Sequence, residues 1–220
     1  MGLTKALDAA LPDSRNPDLI AHAQSDLLRQ RIYGLALGYE DLNDHDTRHH
    51  DLAWQSAVER ATGRWAAARR CAGSRRAHRR RSAVAMHAVL VEQFIASFAL
   101  APKELVLDFE ATDDRIHGLQ EGRFFHGYYG GWCFLPRYVF CGEPLLVSGL
   151  RPSNSDAARH APAILKLLVA RLRQAWPQVK IVFRGASGFC RWKMRRWCER
   201  HGVAYLVGLA GNTRQARAGR

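Results

Sequence analysis

Residues 105–114 read LVLDFEATDD, an apolar run that turns acidic at Asp108 and stays acidic to Asp114. Three consecutive aliphatic residues ahead of an aspartate describe a buried strand, and the carboxyl end of such a strand is where an α/β sheet presents its site. Side chains alternate along a strand, so Asp108 and Glu110 fall on one face, roughly 7 Å apart by strand rise. Two carboxylates so placed can share a hard divalent cation, which takes oxygen ligands. The other reading of the same residues is a solvated strand end that runs into a Thr112-Asp113-Asp114 turn.

The surroundings of this strand set the fold class. Ahead of it, 84–100 reads as an apolar helix with Met86, Val89, Leu90, Phe94, Ile95 and Phe98 on one face, ended by Pro102. After it, aromatic-rich strands over 123–130 and 132–141 flank a Gly130-Gly131 hairpin signal, and 145–150 is a further strand. A helix over 155–175, capped by Asn154 or Ser155, precedes a strand at 179–183, a turn at 185–188, a helix at 189–201 and a last strand at 203–209. Antiparallel strands followed by alternating α and β units predict an α/β fold, a mixed sheet flanked by helices, in the element order of an RNase H-like core. Toward the N-terminus, 17–42 reads as helix, 40–51 as an acidic loop and 52–58 as a short turn around Trp54. The expected organisation is a small helical N-terminal region over 1–83, the sheet-forming core over 84–212 and a basic tail over 213–220.

The chain has 220 residues, a formal net charge of +13 and a pI near 10.2. The charge is unevenly spread: net −4 over 1–58, +7 over 59–100 and +10 over 101–220. A cation of this size is expected to meet a polyanion, nucleic acid before any other. No apolar run is long enough to span a bilayer, no signal peptide is legible, and no membrane partner is expected. Five cysteines without a C-x-x-C pair argue against a disulfide scaffold and a Cys-rich zinc site, so a reducing cytoplasm is the expected compartment. Residues 60–82 stand apart, with nine Arg, six Ala, two Gly and no period. One reading is a basic arm that folds on DNA. The other, favoured by the well-patterned flanks, is a GC-rich gene read out of frame.

Further candidates lie downstream. Arg151-Pro152-Ser153-Asn154 joins a strand to a helix, where Ser or Asn serves as a cap and Arg151 can reach a phosphate. Arg184-Gly185-Ala186-Ser187-Gly188-Phe189 is a strand, a glycine-bracketed turn and a helix start, an arrangement that suits an anion. On the helix behind it, Cys190, Met194, Trp197 and Cys198 form the core stripe. Arg191, Arg195, Arg196 and Arg200 then face outward, as a phosphate track or as an ordinary solvated basic face. Glu121 reads as an exposed turn carboxylate or an outer ligand. The aromatics Phe124, Phe125, Tyr128, Tyr129, Trp132 and Phe134 read mostly as core, with one or two stacking platforms. Neither a G-x-S-x-G elbow nor an H-E-x-x-H string occurs.

The strings LDFEATDDRIHGLQEGRFFHGYYGGWCFLPRYVFCGEPLLVSGLRPSN (107–154), IVFRGASGFC (181–190) and HGVAYLVGLAGN (201–212) resemble the DDE transposases of bacterial insertion sequences, within them the thirteen-eighty insertion-sequence group. A weaker match covers 17–60. The resemblance implies an RNase H-like core that cuts and rejoins DNA at element ends with two Mg²⁺ ions, which steady the attacking and leaving oxygens of an in-line transfer. It maps the first acid to Asp108, with Glu110 at a neighbouring position that is often Asp. The second acid, the Asp of an R-G-D-S-G-F string, falls on Ala186, which has no oxygen to offer. The third, a Glu on a later helix, lies beyond residue 220. The expectation is a shortened, catalytically inactive copy in the bacterial cytoplasm, associated with the nucleoid. Its expected partners are insertion-sequence ends and either a second copy or a full-length transposase. A non-catalytic DNA-binding protein that occupies those ends, and a decayed remnant with no role, are the other readings.

Overall fold

The structure, a computed structural model, describes residues 2–39 apart from 14 and 21, residues 51 and 56, and residues 76–209. The expected turn at 52–58, nearly all of the loop at 40–51, the Arg-rich stretch before residue 76 and the tail at 213–220 lie outside the described residues. The chain divides into two compact units at Val89–Leu90.

In the first unit, α1 (Leu3–Ala10) packs beside α2 (Gln24–Ala36). Gln24 ties them by donating from Nε2 to the carbonyl of Leu11 at 2.8 Å. The single helix expected over 17–42 is two elements. Asn16 accepts from the Asp18 N–H and Pro17 starts a 3₁₀ turn that ends at Leu19, with Ile20 and Ala23 in extended backbone before α2. The far end stops early because Gly38 adopts φ +84°, while Tyr39 N–H donates to Gly34 O and Gly38 N–H to Leu35 O, a Schellman closure.

Helix α3 (Arg76–Ala96) spans the division between the units and begins inside the Arg-rich stretch, eight residues before the expected start at 84. Arg and Ala are strong helix formers, so a helix needs no apolar stripe there. It ends at Ala96 rather than Leu100, where Ser97 Oγ donates back to Phe94 O at 2.7 Å.

The second unit is built on β1 (Glu104–Ala111), at the centre of a five-stranded sheet. Its neighbours are β5 (Arg137–Phe140) on one side, antiparallel, and β7 (Lys180–Gly185) on the other, parallel. Outside them lie β6 (Leu145–Gly149), antiparallel to β5, and β8 (Ala204–Val207), parallel to β7. A separate small sheet holds β2 (Asp114–Arg115), β4 (Gly131–Phe134) and β3 (Phe124–His126), with β4 in the middle. The strand expected over 132–141 is therefore broken between two sheets. Pro136, which has no N–H to give a ladder, falls at the break.

Helix α4 (Ala161–Ala175) links β6 to β7, and α5 (Trp192–Arg200) links β7 to β8. The expected start of α4 at 155 is displaced to 161. A helix begun at 155 would hold Pro162 in its interior, where the ring collides with the preceding turn and removes a hydrogen bond. Instead Asp156 Oδ1 accepts from Ala158 N–H at 2.9 Å, and His160 turns the chain at φ +66°. Likewise α5 starts at 192 because Ser187–Phe189 forms a 3₁₀ turn of its own.

One core joins Leu105, Leu107 and Phe109 of β1 to Ile181 and Phe183 of β7, Leu165, Leu168 and Leu172 of α4, and Met194 and Cys198 of α5. Phe109 meets Phe183 edge-on at 5.1 Å between centroids, with Phe189 at 6.0 Å. The opposite face of β1 carries Val106, Asp108 and Glu110 and is only partly covered. A mixed five-stranded sheet of this order, flanked by helices and preceded by small N-terminal helices, is the RNase H-like architecture expected from the order of elements.

Helices α3 and α4 are clamped at the surface by Arg171, which donates to both oxygens of Glu92 at 2.6 and 2.5 Å. The hydrogen bond from Arg171 holds the Glu92 carboxyl below its ordinary pKa, against the opposing effect of partial burial. A carboxyl depressed in this way stabilises the fold above its unfolded pKa, and the contribution disappears as pH falls through the lower folded value. Glu92→Gln is expected to lower the urea midpoint at pH 7 and to leave it unchanged at a pH below both values; equal losses at the two pH values would contradict the assignment.

Candidate DNA-processing site

The carboxyl ends of β1 and β7 bring the acidic and basic candidates together. Register pairs Asp108 with Arg184 and Phe109 with Gly185. Because Phe109 is buried in the core, alternation turns Asp108 and Glu110 to the other face, as the sequence predicts. Arg184, expected as a phosphate contact, lies on that face and spends its guanidinium on Asp108, with Nη2 donating to Oδ2 at 2.5 Å. The hydrogen bond and charge of Asp108 raise the basicity of Arg184, and Glu110 adds to the effect. The pairing was legible only in register, since the two residues are 76 apart in sequence.

Ala186 follows one residue after the last β1–β7 pair, in extended backbone at φ −65° and ψ 174°, with an exposed methyl group. Its turn is tightly built beneath. A Cβ on Gly185 would lie 3.1 Å from Phe189 Cβ, and one on Gly208 would lie 3.0 Å from the Ser187 nitrogen. Gly208 N–H also donates to Gly185 O at 3.1 Å, which fixes the turn to the chain leaving β8.

These residues do not fit the pair of Mg²⁺ ions that the resemblance implies. Such ions need carboxylates converging from several elements. Here one strand face supplies two, Oδ2 of Asp108 is held by Arg184, and position 186 presents a methyl. Among the described residues there is no cluster of three or more Asp, Glu, His or Cys suited to a metal.

The basic candidates divide by environment. On α5, Met194 and Cys198 are buried as expected, while Arg196 and Arg200 are exposed and Arg195 is half-buried. Arg196 lies over the Trp192 ring at 4.8 Å, which stiffens the exposed face. Arg191 precedes the helix and donates from Nη2 to Asp156 Oδ1 at 2.8 Å. That bond holds the Asp156 carboxyl below its ordinary pKa. Lys193, exposed between them, extends the basic face and is missing from the sequence reading. Arg151 is not at the surface. It is buried, and its Nη1 donates to the carbonyls of Asp156 at 2.8 Å and Ala157 at 3.1 Å. The start of an exposed loop was the wrong environment for it, because the chain folds back onto the guanidinium at 156 and 157.

The aromatics also depart from expectation. Phe124, Phe125, Tyr128 and Trp132 are exposed rather than core, and Arg123 lies 5.0 Å over the Trp132 ring. Two short strands of a small sheet cannot bury both of their faces. Glu121 is exposed, as expected for a turn carboxylate.

Comparison with known proteins gives two kinds of likeness. The structure resembles a piggyBac transposase synaptic complex with hairpin DNA (TM-score 0.44, 9% identity, 96% of this chain and 48% of that one). It also resembles a Mos1 transposase paired-end complex with the left transposon end (TM-score 0.32, 13% identity, 88% and 61%) and a Mos1 strand transfer complex (0.32, 10%, 87% and 69%). The chain thus spans about half the length of the first of these and three fifths of the second. No curated protein matches the sequence. The decisive match is to a family model, described as transposase DDE domain group 1, which extends over residues 1–218 and so takes in the strand of Asp108, the turn of Ala186 and the N-terminal helices alike. The chain belongs to the DDE transposase domain family, group 1.

Proposed function

We propose that this chain is a transposase-family protein of the thirteen-eighty insertion-sequence group that binds DNA at element ends without cutting or joining strands. The observation that carries this reading is the ion pair between Asp108 and Arg184 beside a methyl group at Ala186. Two-metal chemistry at a phosphodiester needs carboxylate oxygens from several elements, and here a guanidinium holds Asp108 Oδ2 while position 186 offers no oxygen. The exposed basic face of α5 supports DNA contact, as does the net charge of +13. No helix among the described residues is long and apolar enough to cross a membrane. The place of action on this reading is the bacterial nucleoid, and the assembly is a homodimer or a mixed oligomer with a full-length transposase, whose end sites the chain occupies. Mg²⁺ is the family's cofactor and is not used by this copy.

The test is a labelled duplex carrying an insertion-sequence end, incubated with the protein in Mg²⁺ or Mn²⁺. No nicked or joined product is expected, and cleavage that disappears in Asp108→Ala would overturn the reading. Binding to the same duplex should weaken steeply with salt. The triple variant Arg195→Gln, Arg196→Gln, Arg200→Gln should make the log–log slope shallower by about 0.9 for each phosphate that is no longer neutralised. An unchanged slope would remove α5 from the interface.

A further inference from the structure

Two arginines in the second unit are nearly sequestered from solvent and have no anion between them. Arg137 is 5% exposed and Arg151 is 7% exposed. Register pairs Arg137 with Gly149, so Arg151 stands two residues along on the segment that continues β6, and Leu135 N–H donates to Arg151 O at 2.8 Å. This makes the two side chains diagonal neighbours on one face, within mutual reach. Their heads converge on the segment that leads into α4. Arg137 Nη1 donates to Arg159 O, and Arg151 Nη1 donates to Asp156 O and Ala157 O. These acceptors are neutral carbonyls.

The remaining donors are the anomaly. Nε of Arg137, and Nε and Nη2 of Arg151, are buried and lack a hydrogen-bond partner among the described residues. A buried charge is expensive unless an opposite charge and hydrogen bonds compensate it, and here two like charges share one enclosure. The charge of Asp156 reaches Arg151 and partly offsets the effect of burial, but it leaves these donors without a hydrogen-bond partner. Asp156 is already engaged by Arg191 and by the Ala158 N–H. Burial and the neighbouring charge of Arg151 together push the Arg137 guanidinium down to about 10. Two planar forks with free N–H groups are the donor set that binds a tetrahedral oxyanion.

We propose that Arg137 and Arg151 form an internal anion site that takes a phosphate group. The site abuts the end of β1 and the turn after β7: a Cβ on Gly188 would lie 3.1 Å from Ala157 Cβ, and the Asp156–Arg191 pair joins the same two segments. The covering segment, 150–160, lies between β6 and α4 and contains no helix or strand beyond an isolated bridge at Pro152. A phosphate enters by replacing the carbonyls of 156, 157 and 159 on the two guanidinium groups. Two sources supply this chemistry, a DNA strand and free phosphate. The first rests on the DNA-binding reading given above.

The experiment uses the full chain and inorganic phosphate, with thermal unfolding followed in phosphate and in chloride at matched ionic strength. The midpoint is expected to rise with phosphate, by about 5–10 °C at a hundredfold excess over Kd. Arg137→Gln and Arg151→Gln should each lose this increment, and the surface control Lys103→Gln should keep it. Absence of a phosphate-specific rise in the wild type, or an equal rise in all variants, would overturn the site. If both glutamine variants fail to fold, Arg151→Lys keeps the charge without the fork and should weaken phosphate binding at least tenfold; unchanged binding overturns the site. The source is decided by DNA titration. Phosphate that competes with DNA, together with a lower DNA affinity of Arg151→Gln, assigns the site to the strand. A phosphate rise with DNA affinity unaltered assigns it to free phosphate. Should the wild type bind no DNA, the functional reading falls while the phosphate rise still supports the site.

Discussion

Ala186→Asp is expected to raise Mn²⁺ affinity at the end of β1 at least tenfold, about 1.4 kcal/mol. Position 186, one residue past β7, continues by alternation the face that carries Asp108 and Glu110, and β7 lies about 4.8 Å from β1 by sheet spacing. A third carboxylate there increases the ligand charge on which hard-cation affinity depends. The substitution suits its place, because Ala186 is exposed and caps the Ser187–Phe189 turn, a position at which Asp is favoured. Adding Arg184→Gln should tighten binding again, since Asp108 is then released from its guanidinium. Calorimetric titration of Mn²⁺ at constant ionic strength, with circular dichroism to confirm folding, reads both steps. Equal Kd values for wild type, single and double variants would show that residue 186 does not face Asp108.

The second large effect is on stability. Phe109→Ala should cost about 3–5 kcal/mol, read from the urea midpoint at unchanged m-value. The ring is fully buried, edge-on to Phe183 and Phe189, so its removal leaves a cavity that β1, held on both sides, cannot close. Phe109 lies between Asp108 and Glu110 in sequence, and the inward ring is what holds those two carboxylates outward. A loss below about 1 kcal/mol, the range of a surface substitution, would mean that the ring is not packed as described.

The order of elements was legible because each carries its own short-range signal. Leu105, Leu107 and Phe109 of the run at 105–109, the stripe of Leu165, Leu168 and Leu172, and the pair Met194 and Cys198 all end in the core. Boundaries failed where local chemistry outranked periodicity: Gly38 closes α2, Pro162 forces a late start on α4, and Pro136 divides one expected strand between two sheets. The alternation that sends Asp108 and Glu110 to one face was readable, but the partner of Asp108 was not. Which strand lies beside β1 is a tertiary fact, and only that register brings Arg184 to the carboxylate. Arg137 carried no signal at all, since an arginine at the head of an apolar strand reads as an exposed edge. The hairpin at Gly130 was recognisable from its glycines, whereas the exposure of Trp132 and Phe125 depends on a small sheet whose size the residues do not announce.

The central place of β1 has a kinetic consequence. Its antiparallel neighbour β5 comes next in the chain after the small sheet, but its parallel neighbour β7 lies further on, beyond β5, β6 and α4. During synthesis the β1–β5–β6 portion can assemble while the other edge of β1 and its Leu105, Leu107 and Phe109 face await residues 180–185. Closing so long a loop before any parallel pairing forms is entropically slow, and domains dominated by such contacts fold in milliseconds to seconds rather than microseconds. Throughout that interval an apolar strand edge is open to pairing with another chain. The rate at which β7 reaches β1, more than the strength of any one contact in the finished sheet, then sets how much newly made protein escapes aggregation.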